Sequence, residues 1–312
     1  QGVSEMTLFA RLHDDQATTL GVRRLREQRE LELRIKNRKQ VRLVELAEIM
    51  PLQLINPDAF RLLEGPPAGR REFLDWGAFH VKHEFFSVWK RARRALKHRN
   101  ALLRRGRIQV EELDVWEKEL ANSGERIDQQ RREWFSNFLP VFEETLQSLL
   151  SLQGLTLHYA RGWDKNRSLA DVLASSRATD EQMGFTQQGP QRADLRIKVN
   201  KQPAIEVLSR GQQKLVVSAL KLAQGRFLER TANRHCVYLI DDLPAELDEQ
   251  HRQRFCHLLE SIQCQAFITS VEPTALQSQW LSDTEVKMFH VKHVEQNGGV
   301  HSLLGQLNET GQ

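Results

Sequence analysis

Two short segments of the chain carry side chains that could bind a phosphate. Ser209 and Gln212 stand three residues apart at the start of a helical pattern, which is the spacing of an S-x-x-Q capping box. The N-terminus of a helix offers unpaired N–H groups and the positive end of the helix dipole to an anion. Asp241 and Asp242 end a short apolar run that begins at Val237, as when a buried strand delivers carboxylates to the edge of a sheet. Their oxygens could bind Mg²⁺ and orient a water molecule.

The patterns around these segments predict the elements that would hold them. After Ser209, apolar residues recur at helical spacing as far as Phe227, which predicts a helix that begins at the capping box. Leu52–Ile55 and Gln265–Ser270 are apolar runs that predict two further buried strands, the second with polar residues at its end. The candidate chemistry therefore depends on buried strands and on the start of one helix.

A helical region separates the early strands from these segments. A Gly/Pro cluster at Gly65–Gly69 predicts a loop or a domain hinge before it. Apolar faces predict long helices over Phe85–Leu96 and Ile127–Leu149, with a further helix over Val110–Leu120. Because no heptad pattern is sustained, these lengths favour a helical arm or lid over a long coiled coil.

The densest run of positive charge lies between Lys90 and Arg107 and includes Arg99. On a helix with one apolar face, such charges would cover the remaining surface. They could form an ordinary solvated face, or a surface that binds phosphates without reading sequence. The run lacks a ladder of aromatic residues, which favours contact with a duplex backbone over stacking of single-stranded bases. The candidate DNA-binding residues are Arg91, Arg93, Arg94, Lys97, Arg104 and Arg105.

The composition limits the class of protein only broadly. The chain has 312 residues and a formal charge of +4, which alone is weak evidence for binding nucleic acid. No apolar run approaches the length of a membrane span, so we expect no membrane partner and exclude a transporter subunit with its own membrane domain. The three cysteines form no C-x-x-C pair, and their odd number fits a reducing cytosol.

Four separated segments resemble the RecF family, the bacterial recombination mediators related to the SMC ATPases. Pro57–Trp76 carries the pattern L-L-x-G-x-P-x-x-R-R-x-F-L-D-W. Gly189–Leu195 and Leu208–Lys214 follow, the latter resembling the signature motif of ABC-type ATPases. Leu239–Asp248 carries I-D-D-x-x-x-E-L-D, which resembles a Walker B strand followed by a D-loop. The likeness runs from about residue 30 almost to the C-terminus.

The resemblance implies an α/β fold of a definite kind. We expect an ABC-type ATPase head, with a P-loop-NTPase-like mixed sheet and flanking helices, together with a helical lobe II. Residues 1–71 would then be the remainder of the N-terminal lobe I, and residues 72–152 the helical lobe. Residues 153–295 would form the C-terminal half of the head, and residues 296–312 a loose tail.

The resemblance also implies a nucleotide held between two copies of the head. Ser209, Gly211 and Gln212 would contact the γ-phosphate that the partner holds. The alternative is that Ser209 only caps the helix, although capping and phosphate contact are compatible. Asp241 would bind Mg²⁺ and Asp242 would orient the attacking water as the catalytic residue. The alternative is a pair of exposed acids in a turn.

Other nucleotide contacts follow only by position. Gln53, taken as the end of a strand before the helical lobe, is a candidate for the Q-loop, and Asn56 competes with it. Asp248 stands at the place of the D-loop. Thr269 or Ser270 would replace the switch histidine of transporters.

The family implies ATP and Mg²⁺ as cofactors and an ATP-dependent homodimer on DNA. Its partners would be duplex DNA at gap junctions and the proteins RecR and RecO, with which it would help to load RecA at single-strand gaps. Most ABC ATPases use Glu where this chain has Asp242. Because the shorter side chain reaches less well, slow hydrolysis is expected.

No G-x-x-x-x-G-K-[ST] motif occurs in the chain, although this P-loop holds the phosphates in such ATPases. Because the chain opens with Gln1, we expect the first strand and the P-loop to be missing from it, and the chain alone to be inactive. A degenerate relative that has lost nucleotide binding is the alternative.

Two other functions remain possible from the sequence: an SMC-like chromosome-organising ATPase, and a non-enzymatic DNA- or protein-interaction module of ABC architecture. The first needs longer heptad arms than residues 72–150 provide.

Overall fold

The computed structural model describes residues 5–12, 17–25, 31–36, 38–39, 41–105, 110–272, 276, 280–281, 283–296 and 299–306. Contacts within the chain define two compact units. One comprises residues 1–51 and 281–312, and the other residues 52–280. Among the residues described, no helix combines the length and the apolar character that a membrane crossing requires.

The first unit contains two antiparallel sheets and one helix. Its strands β1–β4 form a meander in the order of the chain, and β11 pairs with β12 as a hairpin. Helix α1 ends just before Pro51, as a proline at that position predicts. The elements are β1 (Glu5–Arg11), β2 (Thr19–Leu25), β3 (Leu31–Ile35), β4 (Arg38–Lys39), α1 (Leu43–Ile49), β11 (Phe289–Gln296) and β12 (Gly299–Gln306).

The hairpin corrects the expectation of a loose tail after residue 295. Strand β12 continues to Gln306, and the register pairs Gln296 with Gly299. In the sequence, Asn297-Gly298 stands between the two strands, and Asn-Gly is the strongest short-range signal for a hairpin. This dipeptide lies within residues 296–312, the range that was expected to be a loose tail.

The second unit contains a parallel sheet of three strands. Strand β9 (Val237–Ile240) lies between β5 (Leu52–Ile55) and β10 (Gln265–Ile268), and all three run in the same direction. One face of the sheet is buried against the hydrophobic core, which includes Tyr238 and Ile240. Because the strands are parallel, their carboxyl ends all lie at one edge of the sheet.

A second, antiparallel sheet has the order β6-β7-β8. Strand β6 (Leu155–Ala160) pairs along its whole length with β7 (Asp194–Val199), and β8 (Gln202–Pro203) follows a tight turn. Leu195 and Ile197 of β7 point into the core, whereas Arg196 between them is exposed. The alternation produces one apolar face and one basic face.

Helices make up most of the second unit. The α-helices are α2 (Arg61–Glu64), α3 (Pro67–Val81), α4 (Phe85–Leu103), α5 (Val110–Leu149), α6 (Leu169–Met183), α7 (Ala204–Val207), α8 (Arg210–Ala232), α9 (Leu243–Glu246) and α10 (Glu249–Ser261). Two 3₁₀ turns cover Pro57–Phe60 and Pro190–Arg192. Of these helices, α8 is the one that begins at the predicted capping box.

Helix α5 corrects the prediction of separate helices over Val110–Leu120 and Ile127–Leu149. The structure has one helix of 40 residues. Gly124, which lies between the two predicted helices, serves close packing rather than a break. A Cβ atom at that position would lie 2.5 Å from Leu169 and 3.2 Å from Pro190. The glycine in this helical pattern is therefore explained by close packing in the tertiary structure, and it does not end a helix.

The helices of residues 72–152 share a hydrophobic core with the elements that follow them. Trp134 and Phe138 of α5 stack at 4.6 Å, and both meet the edge of Phe227 from α8. Gly77 of α3 lets Trp134 approach, because a Cβ atom there would lie 2.2 Å from the indole. Helix α8 is thus fixed along its length by packing against α5.

Candidate functional site

The carboxyl edge of the parallel sheet brings the two predicted aspartates together with Thr269. The pairing of strands extends one residue past each end, since the N–H of Asp241 donates to the carbonyl of Ile55 at 2.9 Å. The N–H of Thr269 likewise donates to the carbonyl of Ile240 at 2.9 Å. These backbone bonds fix Asp241 and Thr269 beside each other at the sheet edge.

The hydroxyl of Thr269 connects the two acidic residues. Its Oγ1 donates to Oδ1 of Asp241 at 2.7 Å and accepts from the backbone N–H of Asp242 at 2.8 Å. Ser270, the other candidate at this strand end, donates instead to the carbonyl of Glu272. The structure therefore places Thr269, and not Ser270, against the aspartates.

Asp242 occupies a left-handed backbone conformation, with φ of 48° and ψ of 49°. This conformation costs a residue with a side chain of the order of 1 kcal/mol, and Asp is among the residues that tolerate it best. Strand β9 has ended at Ile240, so the alternation of a strand no longer sends Asp241 and Asp242 to opposite faces. A local backbone strain at a sheet edge that carries two carboxylates is typical of functional sites.

The N-terminus of α8 forms the capping box that the sequence predicted. Oγ of Ser209 accepts from the N–H of Gln212 at 3.3 Å, and the N–H of Ser209 donates to Oε1 of Gln212 at 3.0 Å. The N–H groups of Arg210 and Gly211, in the first turn of the helix, have no acceptor within a helix. They form an exposed donor pair at the positive end of the dipole.

Among the residues that the structure describes, none approaches Gly211 so closely that a glycine is required there. It is exposed, and a Cβ atom added to it would meet no atom within 4 Å. Glycine inside a helix costs about 0.8–1 kcal/mol relative to alanine. The missing side chain therefore leaves room for something outside the chain.

An ion pair connects the start of α8 to the loop that follows the aspartates. Nζ of Lys214 lies 2.7 Å from Oε2 of Glu246, the last residue of α9. Both side chains are largely shielded from solvent, with 29% and 15% of their surfaces exposed. The two predicted motifs thus belong to elements in direct contact, a connection that the sequence analysis missed.

Asp248 caps helix α10 and remains largely exposed. Its Oδ1 accepts from the N–H of His251 at 3.0 Å, and its Oδ2 lies 2.6 Å from Nδ1 of the same histidine. The backbone N–H of His251, followed by its ring, lowers the pKa of the Asp248 carboxyl. Asp248 therefore keeps its negative charge at neutral pH and caps the N-terminus of α10.

Gln53 was expected at the end of its strand, but it does not lie there. Its side chain points away from solvent. It is the second residue of β5, and Nε2 donates to Oε1 of Gln224 at 3.0 Å in the core. Gln224 in turn donates to the carbonyl of Phe73 at 2.8 Å. Asn56, the competing candidate, follows the strand and caps the next turn by accepting from the N–H of Ala59. Gln53 is therefore held in a buried polar link between β5 and α8.

Local contacts occupy several of the six candidate DNA-binding residues, four of which lie on α4 and two just after it. Arg91 forms a 2.7 Å ion pair with a carboxylate of α5. The guanidinium of Arg93 lies 5.1 Å from the ring centre of Trp89, and that of Arg94 lies 5.7 Å from Trp116. All three side chains are nevertheless exposed. They could bind a phosphate while resting on these aromatic rings.

The remaining members of the basic run differ in burial. Lys97, Arg104 and Arg105 are exposed, and Arg104 also donates to the backbone carbonyl one turn earlier. Arg99 corrects the expectation of a continuous basic surface, since it is fully buried. Arg107 lies outside the described residues.

Arg99 forms a buried network with residues from two other helices. Its Nη2 lies 2.8 Å from Oε1 of Glu117, and its Nη1 lies 2.8 Å from Oδ2 of Asp180. Thr186 accepts a further hydrogen bond from Nη1 at 2.7 Å. The charge of Arg99 therefore joins α4, α5 and α6 and is unavailable to a ligand.

The three cysteines carry no chemistry at neutral pH. Burial raises the pKa of Cys236, Cys256 and Cys264 to about 12, so each thiol stays protonated. Within the described parts of the chain, no group of three or more His, Cys, Asp or Glu side chains is arranged to hold a metal ion. A divalent cation at the sheet edge would therefore need ligands from a bound phosphate and from water as well as from Asp241.

Comparison with known proteins gives one consistent assignment. Residues 5–297 match the model of the RecF/RecN/SMC N terminal domain. The DNA replication and repair protein RecF of Chromohalobacter salexigens is 62% identical over 288 residues, which cover 92% of this chain and 80% of that protein. The RecF of Pseudomonas aeruginosa is 54% identical over 277 residues, covering 89% of this chain and 75% of that protein.

Solved structures share the fold. A structure of the recombination mediator protein RecF with ATP in the RecFOR pathway superposes with a TM-score of 0.73 at 21% identity and covers 92% of this chain and 76% of that one. An SMC head bound to the C-terminal winged-helix domain of ScpA gives a TM-score of 0.54 at 14% identity and covers 98% and 74%. The expected ABC-type ATPase head is thereby confirmed as the fold.

Proposed function

Because the chain belongs to the RecF family within the RecF/RecN/SMC N-terminal domain group, we propose that it is a DNA replication and repair protein. Its function is that of an ATP-dependent recombination mediator, which acts on gapped DNA with RecO and RecR to load RecA. The identity to the Chromohalobacter relative over four fifths of that protein supports this reading over an SMC-like chromosome organiser. That relative is named a DNA replication and repair protein.

The arrangement of Asp241, Thr269 and Asp242 is the observation that carries the proposal. The carboxylate of Asp241, the hydroxyl of Thr269 and the backbone N–H of Asp242 meet at the carboxyl edge of a parallel sheet, where α/β proteins bind their ligands. In our proposal Asp242 orients the attacking water and accepts its proton. Asp241 faces the metal. Thr269 holds both in position, in the place of a switch histidine.

Mg²⁺ fits the donor set at this edge. Oδ1 of Asp241 accepts from Thr269, which leaves Oδ2 available as a hard oxygen ligand. Mg²⁺ is commonly held by one or two carboxylates together with phosphate oxygens and water. When bound, the ion would neutralise charge that develops on the transferring phosphate.

Helix α8 serves the nucleotide of a second copy in this proposal. Ser209, Gly211 and Gln212 present an exposed helix N-terminus, and the space at Gly211 is empty within the chain. A phosphate approaching from a partner would meet free N–H groups and the positive end of the helix dipole. Asp248, at the start of α10, would contact the same nucleotide across the dimer.

The residues printed here contain no P-loop motif, so the 312-residue chain alone should bind ATP only weakly. Titration of the purified chain with labelled ATP tests this, and micromolar affinity would contradict it. The dimer is tested in the protein produced from its own gene. We expect light scattering to show a dimer with ATP and duplex DNA.

A variant at the helix start makes the test specific. Ser209→Arg places a bulky side chain where the partner's phosphate should lie. It should abolish the dimer and leave nucleotide binding by each monomer intact. An ATP-dependent dimer that persists in Ser209→Arg would mean that the start of α8 does not face the nucleotide.

A further inference from the structure

A groove of about 850 Å³ lies on the second unit, and none of the candidate nucleotide- or DNA-binding residues lines it. It is formed by α5, by the exposed face of β6 and β7, and by the segment that follows β6. We call it the basic groove. Its charged or titratable basic side chains are Arg132, His158, Arg161, Lys165, Arg192 and Arg196.

The one acidic side chain that lines the groove is already neutralised. Asp128 is fully buried, and its Oδ1 accepts from the hydroxyl of Tyr159 at 3.0 Å. Its Oδ2 lies 2.5 Å from Nη2 of Arg132 and 3.2 Å from Nε of Arg161. The carboxylate therefore holds the two arginines in place and contributes no free negative charge to the groove.

Three other cations of the groove stand without a carboxylate. Lys165, Arg192 and Arg196 are exposed, and over the described residues none of them forms an ion pair. The guanidinium of Arg192 lies over the ring of Phe185 at 5.6 Å. In the sheet, Arg196 stands directly opposite His158, so the facing position on β6 provides it with no carboxylate. The fold thus gathers positive charge that its own acids do not balance.

A buried donor also lines the groove. Trp163 is 8% exposed, and its indole N–H has no acceptor among the residues described. The guanidinium of Arg161 stacks on the same ring at 3.9 Å. An unpaired buried N–H is unfavourable, and a hydrogen bond to an oxygen of a ligand would relieve this.

The aromatic rings of the groove already contact other side chains, which disfavours the stacking of a base on them. Trp163 lies beneath Arg161, and Phe135 packs against Tyr159 with ring centres 6.3 Å apart. Single-stranded nucleic acid is usually bound by stacking bases on exposed rings. The guanidinium groups of arginine, in contrast, match phosphate oxygens in charge and geometry.

We propose that the basic groove binds the phosphate backbone of duplex DNA, as a second contact surface distinct from α4. This proposal rests on the proposed DNA-repair function. Contacts of this type position a duplex without reading its sequence, so affinity should depend steeply on salt and little on base composition. The duplex would thus meet arginines from α5, from β7 and from the 3₁₀ turn at Pro190–Arg192.

A matched pair of double variants tests the groove in the full chain. Arg192→Ala with Arg196→Ala removes two exposed groove charges that form no hydrogen bond to another described residue. Lys118→Ala with Lys201→Asn removes two exposed charges outside the groove and keeps a residue that tolerates the positive φ of position 201. Fluorescence anisotropy of labelled duplexes of mixed sequence, titrated over a range of NaCl concentrations, gives the slope of log K against log salt.

The groove pair should make that negative slope shallower by about 1.8, since each lost phosphate contact contributes about 0.9 to its magnitude. The control pair should leave it unchanged. Equal losses in both pairs, or none in the groove pair, would overturn the proposal. Loss confined to single-stranded DNA would overturn it as well. If the parent chain binds no duplex at all, the proposed function itself fails.

Protection of Lys165 provides a second measurement that does not depend on a variant. Lys165 is exposed and lines the groove, whereas Lys118 is exposed and does not. Acetylation by an amine-reactive ester, quantified by mass spectrometry, should fall at Lys165 when duplex DNA is present and stay constant at Lys118. Unchanged acetylation of Lys165 under saturating duplex would contradict the proposal.

Discussion

The hydroxyl of Thr269 donates a 2.7 Å hydrogen bond to Oδ1 of Asp241, and the hydroxyl oxygen accepts a hydrogen bond from the backbone N–H of Asp242 at 2.8 Å. One hydroxyl thus fixes the side chain of one acidic residue and the backbone of the next. Asp242 needs such support because its backbone is left-handed. The relationship makes Thr269 a positioning residue for both candidate catalytic groups.

The first prediction concerns Thr269 in the protein produced from its own gene. Thr269→Val keeps the shape but leaves the N–H of Asp242 and Oδ1 of Asp241 without their partner. We expect ATP turnover to fall about 10-fold or more while KM changes little, because misplaced groups weaken the reaction more than binding. Thr269→Ser retains the hydroxyl and should restore most of the activity. Parent-level turnover in Thr269→Val would assign Thr269 a role in packing alone.

A second prediction uses the empty space at Gly211. Gly211→Ala adds a methyl group that meets no atom of its own chain, so it should stabilise the isolated chain by up to about 1 kcal/mol. The same methyl group should weaken the ATP-dependent dimer if a phosphate approaches the helix start closely. Urea denaturation measures the first effect and light scattering the second. A variant that is more stable and dimerises as well as the parent would remove Gly211 from the interface.

The sequence alone predicted the capping box of α8 and the end of strand β9, because each depends on residues that are close together in the chain. The capping box of Ser209 and Gln212 needs residues three apart, and the end of β9 at Ile240 follows from an apolar run that stops. The sequence predicted the wrong environment for Gln53, because its hydrogen-bond partner, Gln224, lies 171 residues away. Nothing near Gln53 in the sequence indicates that partner.

The alternation of apolar and polar residues along β7 could have indicated one part of the basic groove from the sequence. Arg196 lies between two buried residues of β7, so a period of two predicts that it faces solvent. Arg132 and Arg192 reach the same groove from a helix and a 3₁₀ turn elsewhere in the chain. Only the tertiary structure brings those three segments together.

A third prediction concerns the pH dependence of stability through His80. Burial, and next the charge of Arg234, lowers the pKa of His80 from its ordinary value near 6.5 to about 3. The folded protein keeps this ring neutral, whereas the unfolded chain takes up a proton below pH 6.5. The stabilisation is therefore present above pH 6.5 and is lost as pH falls towards 3.

His80→Phe isolates this contribution, since phenylalanine fills a similar volume and cannot be protonated. Between pH 6 and pH 4, the free energy of unfolding of the parent should fall more steeply than that of the variant. The difference should approach about 1.4 kcal/mol per pH unit, the effect of one proton. Urea denaturation at several pH values measures both slopes. Parallel slopes would show that His80 is protonated in the folded state.

The central claim is that Asp241 and Asp242 act on a nucleotide in different ways, and two amide variants separate their roles. Asp242→Asn keeps size and hydrogen-bonding reach but cannot accept the proton of the attacking water. Nucleotide binding and dimerisation should persist, while turnover falls by roughly 10²-fold or more. Asp241→Asn should weaken nucleotide binding as well, because it removes the metal-facing carboxylate.

The most direct measurement is ATP turnover and dimer lifetime on duplex DNA for Asp242→Asn, made beside the parent in the protein produced from its own gene. We predict a long-lived ATP-bound dimer on DNA with turnover reduced at least 10²-fold. Turnover at the parent rate would contradict the assignment, and the attacking water would then have to be activated by a group other than Asp242.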